Sequence, residues 1–291
     1  MDGLTVHQGH LRIYAYGLPH SVFDWNSVRP RRHPRCFSYT NTDAPDRFTW
    51  GTEMTYCTPY LLALGLTKSK ISLVWIAGPL SGLIMQPIVG VISDRSKMRW
   101  GRRRPFMVGG TIAVSACLLL LGWTREVVEY FATDPETIKT ATIALAVISI
   151  YGIDFAINAV QGSCRSLIVD TLPTPKQQAG SSWASRMVAV GQLIGYAAGA
   201  ADLEKVVGGM MGDTQFKRLT VVAALILSLT VGITCWAVSE RVLISDGNEG
   251  DEKLGAVEMT TKILKTAMNL PSGIAAICFV QFWAWIGESF P

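Results

Sequence analysis

Long uncharged runs of apolar residues alternate with short polar runs along most of the chain. The clearest run, Ile71–Ile92, contains no charged residue and is long enough to cross a bilayer as a helix, which takes about 20 residues. It is followed at once by residues 93–105, which hold six lysines and arginines. Because basic residues collect on the cytosolic side of a membrane helix, the pattern predicts a span whose far end lies in the cytosol.

The same pattern predicts six membrane-crossing helices and the beginning of a seventh. The predicted crossings are Phe48–Leu66, Ile71–Ile92, Phe106–Trp123, a fourth helix from Ala141 to the prolines at 173 and 175, Met187–Ala201 and Leu219–Val238. The seventh begins within residues 271–287. The charge of the connecting loops places residues 93–105, 172–185 and 240–269 in the cytosol and residues 125–139 and 202–218 outside.

These spans divide the chain into four parts. Residues 1–47 contain all four histidines and no apolar run of secretory-signal length, so we expect a disordered cytosolic tail; a mitochondrial presequence is the alternative, disfavoured by the acids and prolines. Residues 48–239 are expected to form a six-helix bundle, residues 240–270 a cytosolic linker, and residues 271–291 the start of a second bundle. Apolar residues of the linker recur at helical steps and predict a short amphipathic helix: Leu254, Val257, Thr261, Leu264 and Met268.

The composition fits an all-α polytopic membrane protein. Only 16% of the 291 residues are charged, against about 25% in soluble domains, and 49% are hydrophobic. The net charge of +4 does not indicate a nucleic-acid partner, because the basic residues fall in predicted cytosolic loops and the N-terminal segment. The six cysteines are widely spaced, which predicts neither a disulfide framework nor a zinc site. With no histidine and no Ser/His/Asp set in the spans, a membrane enzyme is disfavoured, and we expect no metal or cofactor.

The fourth predicted span carries a stripe of polar side chains. Asp154, Asn158, Gln161 and Arg165 follow one another at steps of three and four residues, which places them on one face of a helix. A charged group inside a membrane helix is costly and is a functional candidate by default. The alternative is a polar seam that only joins neighbouring helices. We favour a functional face, because an aspartate together with an arginine exceeds what packing requires.

Glu53 is a second acidic residue within a predicted span. It lies near the beginning of the first span, so an interfacial position and a functional one are both open. On the functional interpretation Glu53 joins Arg165, Asn158 and Gln161 as a candidate for substrate binding or coupling.

The basic cluster after the second span is a candidate for a conformational switch. It comprises Gly90, Asp94, Arg95, Gly101, Arg102, Arg103 and Arg104. Asp94 and the arginines can form alternative charge pairs with helix ends on the cytosolic face and hold one conformer closed there, and Gly90 permits close packing against a helix of the other bundle. A plain topology signal is the alternative, and we expect both roles together.

Several stretches, in order from about Thr49 to Gly287, resemble the major facilitator superfamily, and more narrowly the sucrose transporter branch of the glycoside-pentoside-hexuronide symporters. The stretches are TPYLLALGL, WIAGPLSGLIMQPIVGVISDR, GRRRPF, QGSCRSLIVD, WASRMVAVGQLIGY, DTQFKRL and CFVQFWAWIG. The first two spans look most similar to fungal members that carry sucrose or other α-glucosides.

The resemblance implies the N-terminal six-helix bundle of a major facilitator with the start of a seventh helix, and proton-coupled transport of sucrose or a related α-glucoside by alternating access. It implies that Asp154 is the proton-coupling acid and Arg165 a partner in substrate or proton coupling. The implied partners are a small sugar, a proton and the lipid bilayer, with the plasma membrane favoured over the vacuolar membrane. The second six-helix half would lie outside this sequence, so the chain alone is not expected to transport. The alternatives are a non-transporting fragment of such a carrier and a major facilitator for another small solute.

Overall fold

The computed structural model describes residues 43–94, 96, 98–201, 212–238, 240, 261, 265 and 269–289. Every regular element in this part of the chain is an α-helix, which confirms the predicted all-α class. Residues 1–243 and 244–291 form two compact units. In chain order the helices are α1 Asp43–Ala63, α2 Lys68–Val74, α3 Ala77–Asp94, α4 Arg104–Gly122, α5 Thr124–Phe131, α6 Pro135–Thr171, α7 Thr174–Ala200, α8 Gln215–Ala237 and, in the second unit, α9 Ser272–Ser289.

Four helical segments in the described part of the chain are long and apolar enough to cross a membrane: residues 68–94, 104–122, 135–171 and 215–237. They correspond to the predicted second, third, fourth and sixth crossings. Helices α1 and α7, with 21 and 27 residues, are also long enough for a crossing but are more polar. These two more polar helices pack against each other, so part of their polar surface is covered by protein.

Helix α6 has 37 residues and begins at Pro135, before the apolar run of the predicted fourth span. Its beginning is set by a cap, because the Asp134 carboxylate accepts hydrogen bonds from the Thr137 backbone N–H at 3.0 Å and from the Thr137 hydroxyl at 2.7 Å. These bonds hold the pKa of Asp134 below its ordinary value. The prediction of a loop over residues 125–139 is wrong, since α5 and the first turn of α6 occupy most of it.

Helix α7 begins at Thr174, inside the predicted cytosolic loop of residues 172–185. The prolines end α6 at Thr171 as expected, but Pro175 lies in the first turn of α7, where the missing N–H has no helical partner to lose. Only residues 172 and 173 connect the two helices. The loop prediction is wrong here, because a proline that stops one helix can also begin the next.

The first two spans also differ from the observed helices. Helix α1 begins at Asp43, so residues 43–47, assigned to the N-terminal tail, are helical. The second span divides into α2 and α3 at Trp75, because Pro79 has no N–H to donate to the Trp75 carbonyl. The predictions for residues 1–42 and, apart from Thr261, for the amphipathic helix of the linker lie outside the described residues.

The first unit is built around α6, which packs against α3 and α4, while α1 packs against α7 and α8. Ile150, Ile153 and Ile157 of α6 are fully buried in its core. Helices α1 and α7 meet at their backbones, since a Cβ added at Gly195 would lie 3.1 Å from the Phe48 carbonyl oxygen. This arrangement holds α1, α3 and α6 around a common space.

Candidate functional site

A cavity of about 730 Å³, here named the polar cavity, lies between α1, α3 and α6. This volume falls within the range of about 300–1,000 Å³ that is usual for small-molecule sites. From α1 it is lined by residues at helical steps of three and four, which are Arg47, Trp50, Met54 and Thr58. From α3 and the turn before it the lining residues are Trp75, Gly78, Pro79 and Gln86. From α6 they are Asp154, Ile157, Asn158, Gln161 and Arg165.

The structure places all four members of the predicted polar stripe on the wall of the polar cavity. Asp154 and Gln161 are buried, with 3% and 8% of their surface exposed, whereas Arg165 is exposed. Asp154 and Arg165 are roughly 16 Å apart along the helix axis. They therefore line the cavity at different depths and are too far apart to pair with each other. A negative group and a positive group therefore line the same wall at separate heights.

Asn158 joins two walls of the polar cavity. Its amide nitrogen donates to the Ser81 hydroxyl and to the Asp154 backbone carbonyl, each at 2.9 Å. Its amide oxygen accepts from the Gln86 amide at 3.0 Å, and a Cβ on Gly82 would lie 3.4 Å from that oxygen. Asn158 thus fixes the spacing of α3 and α6 beside Asp154.

Arg47 and Arg165 line both the polar cavity and a second cavity of about 430 Å³ between α6 and α7. The Arg47 guanidinium lies over the Trp50 ring, 5.6 Å from its centroid, in a cation–π contact. Arg47 is not among the predicted site residues, because the apolar pattern places it before the first span. The three-residue step from Arg47 to Trp50 is the signal that would have placed both on one helix face.

Glu53 is buried inside the bundle, with 2% of its surface exposed, and does not occupy an interfacial position. Neither of its carboxyl oxygens has a hydrogen-bond partner among the described residues. It interacts electrostatically with Asp154 although it is not one of the residues that line the polar cavity. The two membrane acids singled out from the sequence therefore lie on two helices, α1 and α6, that pack against each other.

The basic cluster is organised by Arg103, a buried side chain with 5% of its surface exposed. Its Nε donates to Asp170 at 2.9 Å, and its terminal nitrogens donate to Asp94, to Ser93 and, at 3.3 Å, to the Gly90 carbonyl. Arg103 thus pairs with Asp94 at the end of α3 and with Asp170 near the end of α6. Arg103 links α3, α4 and α6 at one end of the bundle.

Glu240, the first acid after α8, completes this cluster. Its carboxylate accepts the backbone N–H groups of Arg102, Arg103 and Arg104 at 2.7, 2.8 and 2.9 Å, at the positive end of α4. Gly101 has a φ of +111°, and a Cβ there would lie 2.8 Å from the Glu240 carboxyl carbon, which accounts for a glycine at this position.

Two acids of this cluster, Asp170 and Glu240, are absent from the predicted set, because their contacts join segments distant in sequence. Arg102 also pairs with Asp170 at 2.6 Å, while Arg95 lies outside the described residues. A Cβ added at Gly90 would meet none of the described residues within 4 Å.

The chain matches known proteins along most of its length. Residues 43–289 match the family model described as MFS/sugar transport protein. The chain is 41% identical over 241 residues to the general alpha-glucoside permease of Schizosaccharomyces pombe, covering 83% of this chain and 43% of the permease. It is 29% identical over 252 residues to sucrose transport protein SUC4 of Arabidopsis thaliana, covering 83% and 49% of the two chains. The chain spans about half the length of the curated relatives it matches.

A third relative is sucrose transport protein SUT1 of Oryza sativa subsp. japonica, which is 26% identical over 259 residues, with 82% of this chain and 48% of the relative covered. These matches confirm the resemblance seen in the sequence and the multi-pass membrane architecture, and they are to transporters and not to enzymes. The family match covers residues 43–289, most of the chain, and includes every residue that lines the polar cavity. The chain therefore belongs to the MFS/sugar transport protein family.

Proposed function

We propose that this protein takes part in proton-coupled transport of sucrose or a related α-glucoside by alternating access. The observation that carries the proposal is the polar cavity, where a carboxyl group, an amide and a guanidinium share a wall of α6. The relatives named general alpha-glucoside permease and sucrose transport protein support an α-glucoside as the substrate. We propose the plasma membrane rather than the vacuolar membrane as the site of this transport.

The side chains of the polar cavity match the hydrogen bonding of a sugar. Sugar hydroxyls both donate and accept, and Arg165 supplies a donor, Gln161 both a donor and an acceptor, and Asp154 an acceptor. Trp50 and Trp75 add apolar ring surface that can lie against the C–H face of a pyranose. The combination of a few placed polar groups with aromatic surface is typical of small-molecule sites.

Asp154 is proposed as the group that couples sugar to proton. A protonated carboxyl can donate a hydrogen bond to a sugar hydroxyl as well as accept one, whereas the ionised form only accepts. A sugar bound through the donated bond favours the protonated form, and by linkage the proton favours sugar binding to the same extent. The planar guanidinium of Arg165 supplies only hydrogen-bond donors and can hold the sugar through its hydroxyl oxygens.

The cluster around Arg103 and Glu240 is proposed as the conformational switch. Alternating access requires that one end of the bundle close while the other opens, and these bonds join α3, α4 and α6 at a single end. Exchange of the Arg103 partners Asp94 and Asp170 for other charges would release that end. Gly101 serves this role by letting the Glu240 carboxylate approach the backbone.

The test compares Asp154→Asn with the unaltered chain. This substitution keeps the shape and hydrogen-bonding capacity of the side chain but removes its titration. We expect sucrose binding to the purified protein, measured through tryptophan fluorescence, to tighten as the pH falls, and we expect this dependence to disappear in Asp154→Asn. In cells without another sucrose carrier, any sucrose-induced proton influx should disappear with it. Asp134→Asn makes the same change at an exposed helix cap outside the polar cavity, and should leave binding unchanged.

The other outcomes separate the alternatives. An unchanged pH dependence in Asp154→Asn would contradict the role of Asp154. Sucrose binding without uptake by the 291-residue chain would favour the non-transporting alternative. Binding of another small solute, with no binding of sucrose or maltose, would favour a carrier for that solute.

A further inference from the structure

Glu53 is unusual among the buried polar groups of α1. Thr52, its neighbour, is equally buried, but the Thr52 hydroxyl donates to the Phe48 carbonyl at 3.0 Å. Both carboxyl oxygens of Glu53 lack a hydrogen-bond partner within the described residues. A native structure rarely buries a carboxyl group without a partner, so the position calls for an explanation.

Among the described residues, no cation acts on Glu53. Its helix α1 packs against α6, and Trp50 and Met54 of α1 line the polar cavity together with Asp154 of α6. Glu53 and Asp154 interact electrostatically, and the thiol of Cys57, one turn later on α1, interacts with both acids. On the other helices that pack against α1, the charges are engaged or placed elsewhere. Lys217 of α8 pairs with Glu126, Arg218 donates to the Gly212 carbonyl, Arg186 of α7 lies over Trp183, and Lys176 of α7 and the lysines of α2 are exposed.

An ionised Glu53 would therefore be a buried negative charge with no cation or donor among the described residues, next to a second carboxyl group. Burial without a partner disfavours a charge strongly, and a like charge nearby disfavours it further. The protonated, neutral carboxyl group is the form that fits this position. Two carboxyl groups arranged in this way titrate as a pair and not as independent acids.

We propose that Glu53 is a second proton-binding group, and that Glu53 and Asp154 form a carboxyl pair which keeps at least one proton while Asp154 exchanges its own with the polar cavity. The inference rests on the proposed function, because it identifies what holds the coupled proton at the same site. Asp154 lines the polar cavity, whereas the buried Glu53 is not among its lining residues, so of the two acids Asp154 is the one in a position to contact a sugar. The pair carries one negative charge when Asp154 is ionised and none when it is protonated.

Infrared absorption of protonated carboxyl groups tests the pair in the purified chain reconstituted in lipid, without any need for sugar or transport. We expect an absorption band from a protonated carboxyl that persists into alkaline pH, and we expect Glu53→Gln to remove it. In Asp154→Asn the Glu53 band should remain but be lost at a pH lower by about one unit or more, because the neighbouring negative charge is gone. The matched control is Glu126→Gln, since Glu126 is partly exposed and already paired with Lys217, and it should leave the band intact.

Two results would overturn the proposal: a persistent band unaffected by Glu53→Gln, or a Glu53 band whose loss occurs at the same pH with and without Asp154. If Glu53→Gln does not fold, Glu53→Asp keeps the carboxyl group and should shift the band. The comparison of Asp154→Asn with the unaltered chain then tests the coupling between the two acids without any change at Glu53. If the band behaves as expected but the protein neither binds nor transports sucrose, the result supports the carboxyl pair and contradicts the proposed substrate.

Discussion

At the scale of single residues, the charges of the bundle differ in how they are neutralised. At one end, Arg103 meets Asp94 and Asp170 directly, and the charges compensate within hydrogen-bond distance. Beside the polar cavity, Asp154 and Arg165 are too far apart along α6 to pair. A charge inside a membrane helix is costly, and Asp154 and Arg165 do not neutralise each other. Both are therefore available to interact with a substrate or a proton.

Arg165→Lys tests whether the planar guanidinium matters at the polar cavity. Lysine keeps the charge but loses the fork of donors, so we expect sucrose affinity to fall about tenfold or more, in line with roughly 1.5–3 kcal/mol for a hydrogen bond to a charged group. Titration of the purified protein with sucrose measures the change. Arg186→Lys, on an exposed position of α7 outside both cavities, is the control and should bind as the unaltered chain does. Equal losses in the two variants would argue against a specific role for Arg165.

At the scale of helices, the beginnings of α6 and α7 show what hydropathy alone cannot predict. The cap at Asp134 and the proline at position 175 set these helix starts, and both lie in polar sequence. The stripe of Asp154 and Arg165 could be predicted, because it depends only on the periodicity of one helix. The roles of Asp170 and Glu240 could not, because they depend on which helices become neighbours.

Gly195→Ala tests the close contact of α1 and α7. The new Cβ would lie 3.1 Å from a carbonyl oxygen and 3.2 Å from the Cα of Phe48, and backbone atoms cannot yield as a flexible side chain does. We expect the free energy of unfolding to fall by about 1–3 kcal/mol, measured by thermal unfolding in detergent. Gly232→Ala is the matched control in α8, where an added Cβ meets nothing within 4 Å, and it should be neutral or stabilising by up to about 1 kcal/mol. Loss of stability in both variants alike would show that the α1–α7 contact is not special.

At the scale of the whole molecule, the loop charges predict which ends of the helices face the cytosol. The connection between α3 and α4 is strongly basic, whereas the turn between α5 and α6, residues 132–134, contains the acidic Asp134 and no basic residue. The orientation depends on the charges of the loops and on the bilayer, so it stays a prediction from the sequence. The helix bounds needed the structure.

Single cysteines at exposed positions test this topology in a variant without the native cysteines. Arg99→Cys and Thr133→Cys lie at opposite predicted sides, and both native side chains are exposed. We expect an impermeant thiol reagent to label only Thr133→Cys in intact cells and to label both after permeabilisation. Labelling of Arg99→Cys in intact cells would require the opposite orientation.

The three bonds that Glu240 accepts have a mechanical consequence. Glu240 lies three residues after the end of α8, and its carboxylate accepts hydrogen bonds from three successive backbone N–H groups at the start of α4. The chain that continues beyond residue 240 therefore departs from an anchored point and not from a free helix end. A pull on that continuation would act first on α4 and then, through Arg103, on α3 and α6, which hold the walls of the polar cavity.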